Sequence, residues 1–275
     1  MRGLSGFLAC LAVFALAMDV ANAAQSMPHR ALYDVALKSA PDGGVSGVSG
    51  KISIEWRHSC SGWTFEYRSF INVSQPETGT VRLSTAATTW ESRDGRQYRF
   101  NVLNRANGRE LEKVEGSAGV AADGSGGKAV FTAPARREID LPPGTLFPVA
   151  HGQAILAAAA SRKPPIFLAV PVFDGMDTDS LYLVNAVVGR GGGSESAGPS
   201  QSAPVDPALK GLRRWPVGLA YFKSEKREPD PSHETTMMLF ENGVSDRLIM
   251  DFSDFLVRAT LSKLEIYPRA ECGSG

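Results

Sequence analysis

The sequence predicts a mostly β protein in which a long antiparallel sheet curls or closes and one main helix is inserted. The first reason is that apolar and polar residues alternate with period 2 in many short runs between residues 29 and 266. The second is that turn sequences such as Asp94-Gly95 separate these runs. The third is that one alanine-rich segment, residues 148–163, departs from the alternation.

Residues 1–23 are typical of a cleaved secretory signal. Arg2 supplies a positive charge, an apolar run covers residues 4–18, and Ala21-Asn22-Ala23 matches an A-x-A cleavage site before Ala24. The apolar run is shorter than the about 20 residues that a membrane-spanning helix needs, which disfavours an uncleaved membrane anchor as the alternative. We therefore expect export, cleavage near Ala23-Ala24, and no stable membrane insertion of the mature chain.

The first half of the mature chain predicts a succession of short strands. The clearest pair surrounds Gly62, where an alternating run with Ile52, Ile54 and Trp56 on one face is followed by a second alternating run. Two such runs around a short glycine-containing loop predict an antiparallel hairpin. The predicted strands are residues 29–37, 50–57, 63–70, 80–85, 88–92, 97–102, 110–118, 128–131 and 137–141.

The main helix is predicted over residues 148–163. It contains a run of alanines, the best helix former, and ends in Arg162 and Lys163, which complement the negative end of a helix dipole. Pro164-Pro165 then stops it. The segment is apolar enough to plug or cap a sheet.

The second half of the mature chain predicts closing strands and one flexible loop. Residues 189–208 are rich in Gly, Ser and Pro, which is typical of a flexible loop. A domain boundary there would leave only residues 209–275, which is small for an independent core, so we expect a single domain over residues 24–275. The predicted strands are residues 167–175, 180–188, 215–222, 234–241, 244–251 and 255–266.

Charge and cysteine content narrow the functional classes. The chain has 29 basic and 29 acidic residues, so no excess of positive charge favours binding to nucleic acid. Cys60 and Cys272 remain after removal of the signal, and an even pair in an exported protein predicts one disulfide. Two free thiols or a redox-active pair are the alternatives, and the missing Cys-x-x-Cys motif disfavours the second.

Few residues of the sequence suggest a catalytic or metal-binding site. The histidines lack the spacing of a zinc site, and no Gly-x-Ser-x-Gly nucleophile motif is present. Asp174, Asp177 and Asp179 offer oxygen ligands for calcium, but the rest of a calcium loop is missing and an acidic hairpin loop is the simpler interpretation. Glu66 and Glu91 are acids that a hydrolase could use, although no spacing singles them out. We expect no catalytic residue, no metal and no cofactor.

Aromatic residues are concentrated on the early strands. Core packing is one interpretation, because aromatic side chains dominate β cores. The other is an apolar groove inside a curved sheet, able to hold a lipid tail or an apolar segment of a partner. The residues concerned are Trp56, Trp63, Phe65, Tyr67, Tyr98 and Phe100.

Short motifs follow one another in a specific order along nearly the whole mature chain. They are HRALYDVAL at residues 29–37, GKI at 50–52, CSGW at 60–63, DGSGG at 123–127, FPVAH at 147–151, WPV at 215–217 and the terminal Cys272. In these motifs the chain resembles the EipB family of periplasmic envelope-integrity proteins of alphaproteobacteria, formerly a domain of unknown function. The resemblance implies a sheet rolled into a β-spiral, an open barrel with the helix in its interior, and a disulfide between Cys60 and Cys272.

The resemblance also implies a periplasmic location and a role in envelope integrity and stress resistance. Our first hypothesis is a non-enzymatic protein that supports the envelope by binding a partner envelope protein. The alternative is a carrier that holds an acyl chain of a lipid or lipoprotein in the cavity of the curved sheet, since the family's shape resembles that of periplasmic lipoprotein carriers. The third hypothesis is a hydrolase that uses an acid pair.

Overall fold

The computed structural model describes residues 26–161, 165–192, 206–224, 229–252 and 254–272. Three predictions lie outside these residues in whole or in part. They concern the secretory signal, the end of the helix at residues 162–164, and most of the loop over residues 189–208.

The fourteen strands of the described residues form one antiparallel sheet, and the predicted fold class is confirmed. Across the sheet the order is β8-β7-β6-β5-β4-β3-β2-β1-β14-β13-β12-β11-β10-β9. The strands are β1 His29–Ser39, β2 Gly47–Ser59, β3 Gly62–Gln75, β4 Gly79–Ser92, β5 Gln97–Ala106, β6 Arg109–Val120, β7 Gly127–Ala133, β8 Arg137–Leu141, β9 Ile166–Phe173, β10 Leu181–Val188, β11 Arg214–Lys223, β12 His233–Phe240, β13 Ser245–Asp251 and β14 Leu256–Ile266.

Alternation of apolar and polar residues gives the strands one buried face, and in β10 buried and more exposed residues alternate along the whole strand. The prediction of two strands over residues 80–85 and 88–92 is wrong. Strand β4 is continuous and pairs with β3 from Gly79 to Ser92. The intervening Ala86-Ala87 contains no turn-forming residue, so nothing interrupts the ladder.

The first and last strands are neighbours in the middle of the sheet. Strand β1 pairs with β2 on one side and with β14 on the other, from His29 opposite Ile266 to Ser39 opposite Leu256. From β1 the chain therefore runs outward to the edge strand β8. It then crosses through the helix α1, Pro148–Ser161, to the other edge strand β9, and returns to β14.

The two edges of the sheet approach each other without forming a ladder. The N–H of Leu146 donates to the carbonyl of Pro171 at 2.9 Å, and the N–H of Phe173 donates to the carbonyl of Leu146 at 3.1 Å. The fully buried ring of Phe173 lies 5.5 Å from that of Phe100 and 6.0 Å from that of Phe131. The sheet thus rolls until β9 packs on inward-facing side chains of β5 and β7, which nearly closes a barrel.

Helix α1 packs on the inner face of the rolled sheet, as the prediction of an inserted helix requires. Pro148 takes the first helical position, where its missing N–H costs nothing and its fixed φ is favourable. Ile155, Leu156 and Ala159 are buried and share one apolar core with inner residues of β9, β10 and β11. No helix among the described residues has the length and apolar content to cross a membrane.

The predicted disulfide is confirmed. Cys60 lies in the turn between β2 and β3, and Cys272 lies six residues after the end of β14 at Ile266. Their Cα atoms are 5.4 Å apart and their sulfurs are bonded. The bond therefore ties the C-terminal segment to the β2–β3 hairpin. It lies at the end of the sheet where His29 of β1 is opposite Ile266 of β14 and Trp56 of β2.

Candidate functional site

The rolled sheet and α1 enclose an apolar cavity of about 400 Å³. Its walls come from both halves of the sheet and from one side of the helix. Five of the six aromatic residues singled out in the sequence line it, namely Trp56, Trp63, Phe65, Tyr67 and Tyr98. A cavity of this size and composition is typical of a site for an apolar ligand.

Cross-strand pairing explains why the early aromatic residues meet. Trp56 of β2 lies directly opposite Phe65 of β3, and their ring centroids are 4.4 Å apart. Tyr67 follows Phe65 on the same face, with 6.4 Å between the ring centroids. Residues two apart in a strand share a face, so these side chains form one continuous wall.

Phe100 does not line the cavity. It is 2% exposed and packs between the rings of Phe131 and Phe173, in an aromatic core that also contains Tyr98. Phe100 therefore serves core packing, which was one of the two interpretations of the sequence pattern. The grouping of all six aromatic residues in one groove is wrong for Phe100.

The opposite wall comes from α1 and the closing strands, and sequence reasoning missed it. The helix contributes Val149, Ile155 and Leu156, and β11 and β12 contribute residues that include Leu219 and Leu239. The period-2 pattern of β11 and β12 does mark these strand residues as one buried face. It contains no information on which other strands that face will meet.

Most polar side chains of the wall are already bonded within the protein. The hydroxyl of Tyr33 donates to the carbonyl of Ser245 at 2.8 Å, and that of Tyr98 donates to the main-chain carbonyl of Asp174 at 2.7 Å. The ring Nδ1 of His29 lies 2.7 Å from the carbonyl of Met27. Burial raises the pKa of both tyrosines and lowers that of His29, which keeps all three side chains neutral near pH 7.

His151 of α1 also lines the cavity and is 6% exposed. Burial lowers its pKa to about 4, so the imidazole is neutral at physiological pH. Its Nε2 atom has no hydrogen-bond partner among the described residues. The helix therefore contributes no positive charge to the wall.

Asp174 carries the single carboxyl group among the described lining residues, and none of them is Lys or Arg. The residue directly follows β9, and its Oδ1 accepts the N–H of Met176 at 3.0 Å. Burial, with a further contribution from the charge of Asp177, raises the pKa of Asp174 to about 7. This carboxyl group is the chief polar feature of an otherwise apolar wall.

Glu91 joins β4 to the start of α1. Its side chain is 2% exposed, and its two carboxylate oxygens accept the N–H groups of Val149 at 2.7 Å and Ala150 at 2.8 Å. A carboxylate at a helix N-terminus satisfies free amides and interacts favourably with the dipole. Burial nevertheless raises the pKa of Glu91 to about 7, against the effect of these two hydrogen bonds.

The structure separates the acid pair considered for a hydrolase. Glu91 lies opposite Trp63 and shares its inner face, whereas Glu66 lies opposite Thr88. Positions 88 and 91 of one strand differ by three, so their side chains point to opposite faces. The hypothesis that Glu66 and Glu91 act together is therefore wrong.

The three aspartates considered for calcium have separate partners. Asp177 accepts hydrogen bonds from the N–H of Asp179 and the hydroxyl of Tyr182. Asp179 pairs with Lys223 at 3.5 Å, while Asp174 lines the cavity. Within the part of the chain that the structure describes, no three His, Cys, Asp or Glu side chains are grouped as metal ligands would be.

Comparisons with known proteins are consistent with this architecture. A family model described as EipB-like matches residues 20–268. The chain is 30% identical over 268 residues to the cell envelope integrity protein EipB of Brucella abortus (strain 2308), covering 95% of this chain and 92% of that protein. A crystal structure of a beta-barrel-like protein of a domain of unknown function from Brucella abortus superposes with a TM-score of 0.77 at 28% identity, covering 89% of this chain and 99% of that one.

Proposed function

Because the chain belongs to the EipB-like family, we propose that it supports cell-envelope integrity without catalysis, by holding the acyl chain of a lipid or lipoprotein in its cavity. The envelope-integrity role is supported by the name of the Brucella relative. The acyl-chain ligand is supported by the apolar cavity of about 400 Å³. The proposed location is the periplasm, reached through the signal over residues 1–23.

The physical driving force would be removal of apolar surface from water. Each methylene group that enters the cavity contributes about 0.8 kcal/mol, and aromatic walls add favourable dispersion contacts. A chain of about eight methylene groups would thus gain roughly 6 kcal/mol before the cost of its immobilisation. Immobilisation of the chain offsets part of this gain, so the net affinity depends on how closely the cavity wall fits the chain.

The cavity itself supplies a probe for the test, because Trp56 and Trp63 line it. We expect titration with decanol to change tryptophan fluorescence, and native mass spectrometry to show co-purified lipid. Leu248→Trp should fill part of the cavity and weaken binding, whereas Leu183→Trp, on the exposed face of β10, should not. Equal binding by both variants, or no binding by the parent protein, would contradict the proposal.

A second candidate function, binding of a partner envelope protein, is favoured by the contrast between the two edge strands. Strand β8 exposes Arg137, Glu138 and Asp140, and charged edges discourage pairing with other chains. Strand β9 instead exposes Phe167, which is 73% exposed, and Ala169. An exposed apolar edge is where an extended segment of another protein can add a strand.

The backbone of β9 has the groups that such a segment needs. Pro171 and Phe173 direct their hydrogen-bonding groups away from β10 and towards Leu146. Alternation along an antiparallel strand places the N–H and C=O groups of Phe167 and Ala169 on that same side. No backbone partner for these groups is found among the described residues. The proposed occupant is an extended, apolar strand of an envelope protein.

Site-specific photocrosslinking tests this second candidate. A photoreactive phenylalanine analogue at Phe167 should crosslink one reproducible envelope protein in intact cells. The same analogue at Phe70, which is 70% exposed on β3, is the matched control and should crosslink none. Equal crosslinking at both positions, or none at Phe167, would reject β9 as the docking edge.

A further inference from the structure

The cavity has an unusual balance of charge for a site that would hold a lipid. Among the described residues of its wall there is one carboxyl group, that of Asp174, and there is no Lys or Arg. The two histidines of the wall, His29 and His151, are neutral because burial lowers their pKa. An anionic headgroup inside this cavity would have no cation to pair with, and burial of an unpaired charge is costly.

Two tyrosines, Tyr98 and Tyr221, line the cavity together with Asp174. The hydroxyl of Tyr98 bonds the main chain of Asp174, and Tyr221 lines the same cavity. Burial, and then the charge of Asp174, raise the pKa of Tyr221 and Tyr182. The rings of Tyr182 and Tyr221 meet edge to face, with 5.7 Å between their centroids.

A carboxylate beside aromatic faces is the combination that binds organic cations. The ring quadrupoles attract a positive charge, and the attraction is strongest where water is excluded. The hydroxyls of Tyr33 and Tyr98 are occupied by main-chain carbonyls, so they do not compete for the headgroup. Asp174 is therefore the group of the wall that is best placed to distinguish one amphiphile from another.

We propose that Asp174 makes the cavity selective for amphiphiles that carry an ammonium group at one end of an apolar chain. The inference rests on the proposed acyl-chain site and specifies its ligand class. The apolar chain would lie along the wall of Trp56, Phe65 and the closing strands, and the ammonium group would lie between Asp174 and the ring of Tyr221.

The test uses three probes that share a ten-carbon chain, namely decyltrimethylammonium, 1-decanol and decanoate. Binding to the mature protein is followed by tryptophan fluorescence at pH 8.5, where Asp174 is ionised despite its raised pKa of about 7. We expect the ammonium probe to bind about tenfold or more tightly than decanol, as an ion pair with Asp174 and a cation–π contact in a site that excludes water should give, and decanoate to bind most weakly.

Asp174→Asn should abolish the preference for the ammonium probe over decanol. Asp179→Asn is the matched control, since Asp179 pairs with Lys223 and does not line the cavity, and it should keep the preference. Melting curves establish that both variants fold. If Asp174→Asn does not fold, the order of the three probes with the parent protein decides the question.

The outcomes separate this inference from the function on which it rests. Equal affinity for all three probes, or a preference for decanoate, would overturn the selectivity and leave the acyl-chain site standing. A preference that survives Asp174→Asn would also overturn it. Failure of every probe to bind would instead reject the acyl-chain site itself.

Discussion

Two junctions hold the rolled sheet together, and they are built differently. At the terminal junction, where β1 meets β14, a backbone ladder runs from His29 to Ser39 and the Cys60–Cys272 bond lies nearby. At the edge junction, where β9 approaches the opposite edge, Leu146 makes two backbone hydrogen bonds, and the other contacts involve side chains. The first junction depends mainly on backbone pairing, and the second depends on a few particular side chains.

The edge junction also borders the cavity. Tyr98 and Asp174 belong to both, because the hydrogen bond between them joins β5 to the end of β9 and both residues line the cavity. Regions held by few backbone hydrogen bonds open locally at lower free-energy cost than regions with long ladders. We infer that the edge junction is the side of the barrel better suited to admit a ligand.

The largest expected effect comes from Phe173→Ala. Phe173 is fully buried, and its ring contacts those of Tyr98, Phe100, Phe131 and Phe147. Loss of a buried phenylalanine ring lowers the free energy of unfolding by about 3–5 kcal/mol, which urea denaturation measures.

Phe167→Ala is the control on the same strand. Its ring is 73% exposed, so the change should stay within about 0.5 kcal/mol. Similar losses in the two variants would show that the edge junction does not depend on side-chain packing, and the contrast between the junctions would disappear.

The second expected effect concerns the disulfide. Replacement of Cys60 and Cys272 by serine frees a loop with a sequence separation of 212 residues, and we expect a loss of about 2–5 kcal/mol. The reason is a larger conformational entropy of the unfolded chain. Reduction of the parent protein should lower its melting temperature by the same mechanism, and an unchanged melting temperature would contradict this account.

The sequence predicts the terminal junction better than the edge junction, because the first depends on backbone pairing and the second on particular side chains. The terminal junction could be anticipated in part, since Cys60 and Cys272 form an even pair in a chain that the sequence predicts to be exported, and the alternation of each strand is local. The edge junction could not. One contact of this junction is that between Gly175 and the ring of Phe100. Glycine is needed there, because φ is +65° and a Cβ atom would lie 2.6 Å from the ring. No periodic pattern shows that these two residues, far apart in the chain, will touch.

The cavity was predicted to a similar extent and for a similar reason. The aromatic wall follows from alternation within two adjacent strands, so Trp56, Trp63 and Phe65 could be assigned to one face. The role of Glu91 could not be predicted, because it depends on the position of α1, which is fixed only after the sheet has rolled. The inward position of Glu91 opposite Trp63 follows from the register of β3 and β4, which the sequence does not show.

The third expected effect is pH-dependent and concerns Glu91→Gln. The pKa of Glu91 is about 7 in the folded protein, above its value of 4.5 in the unfolded chain. The folded state therefore binds the proton more tightly, and this contribution to stability is present below pH 4.5 and is lost as the pH rises to about 7. Glutamine cannot titrate, so the variant should gain stability relative to the parent by roughly 1–3 kcal/mol between pH 5 and 7.5.

Measuring the difference between variant and parent is essential here. His151, whose pKa is lowered to about 4, contributes stability that is lost as the pH falls from 6.5, which is the opposite slope. Its contribution is the same in both proteins and cancels in the difference. A difference that does not change with pH would mean that the two amide hydrogen bonds hold the carboxylate ionised, with a pKa near that of an exposed glutamate.

The smallest expected effect concerns one exposed ion pair beside each junction. Lys128 pairs with Glu138 between β7 and β8, and Lys51 pairs with Asp34 between β1 and β2. All four side chains are more than half exposed, and exposed pairs contribute about 0–1 kcal/mol because water screens them. Lys128→Ala and Lys51→Ala should therefore each change the free energy of unfolding by less than about 1 kcal/mol, and by similar amounts. A markedly larger loss for Lys128→Ala would show that charges on β8 stabilise the edge junction, in addition to the aromatic packing around Phe173.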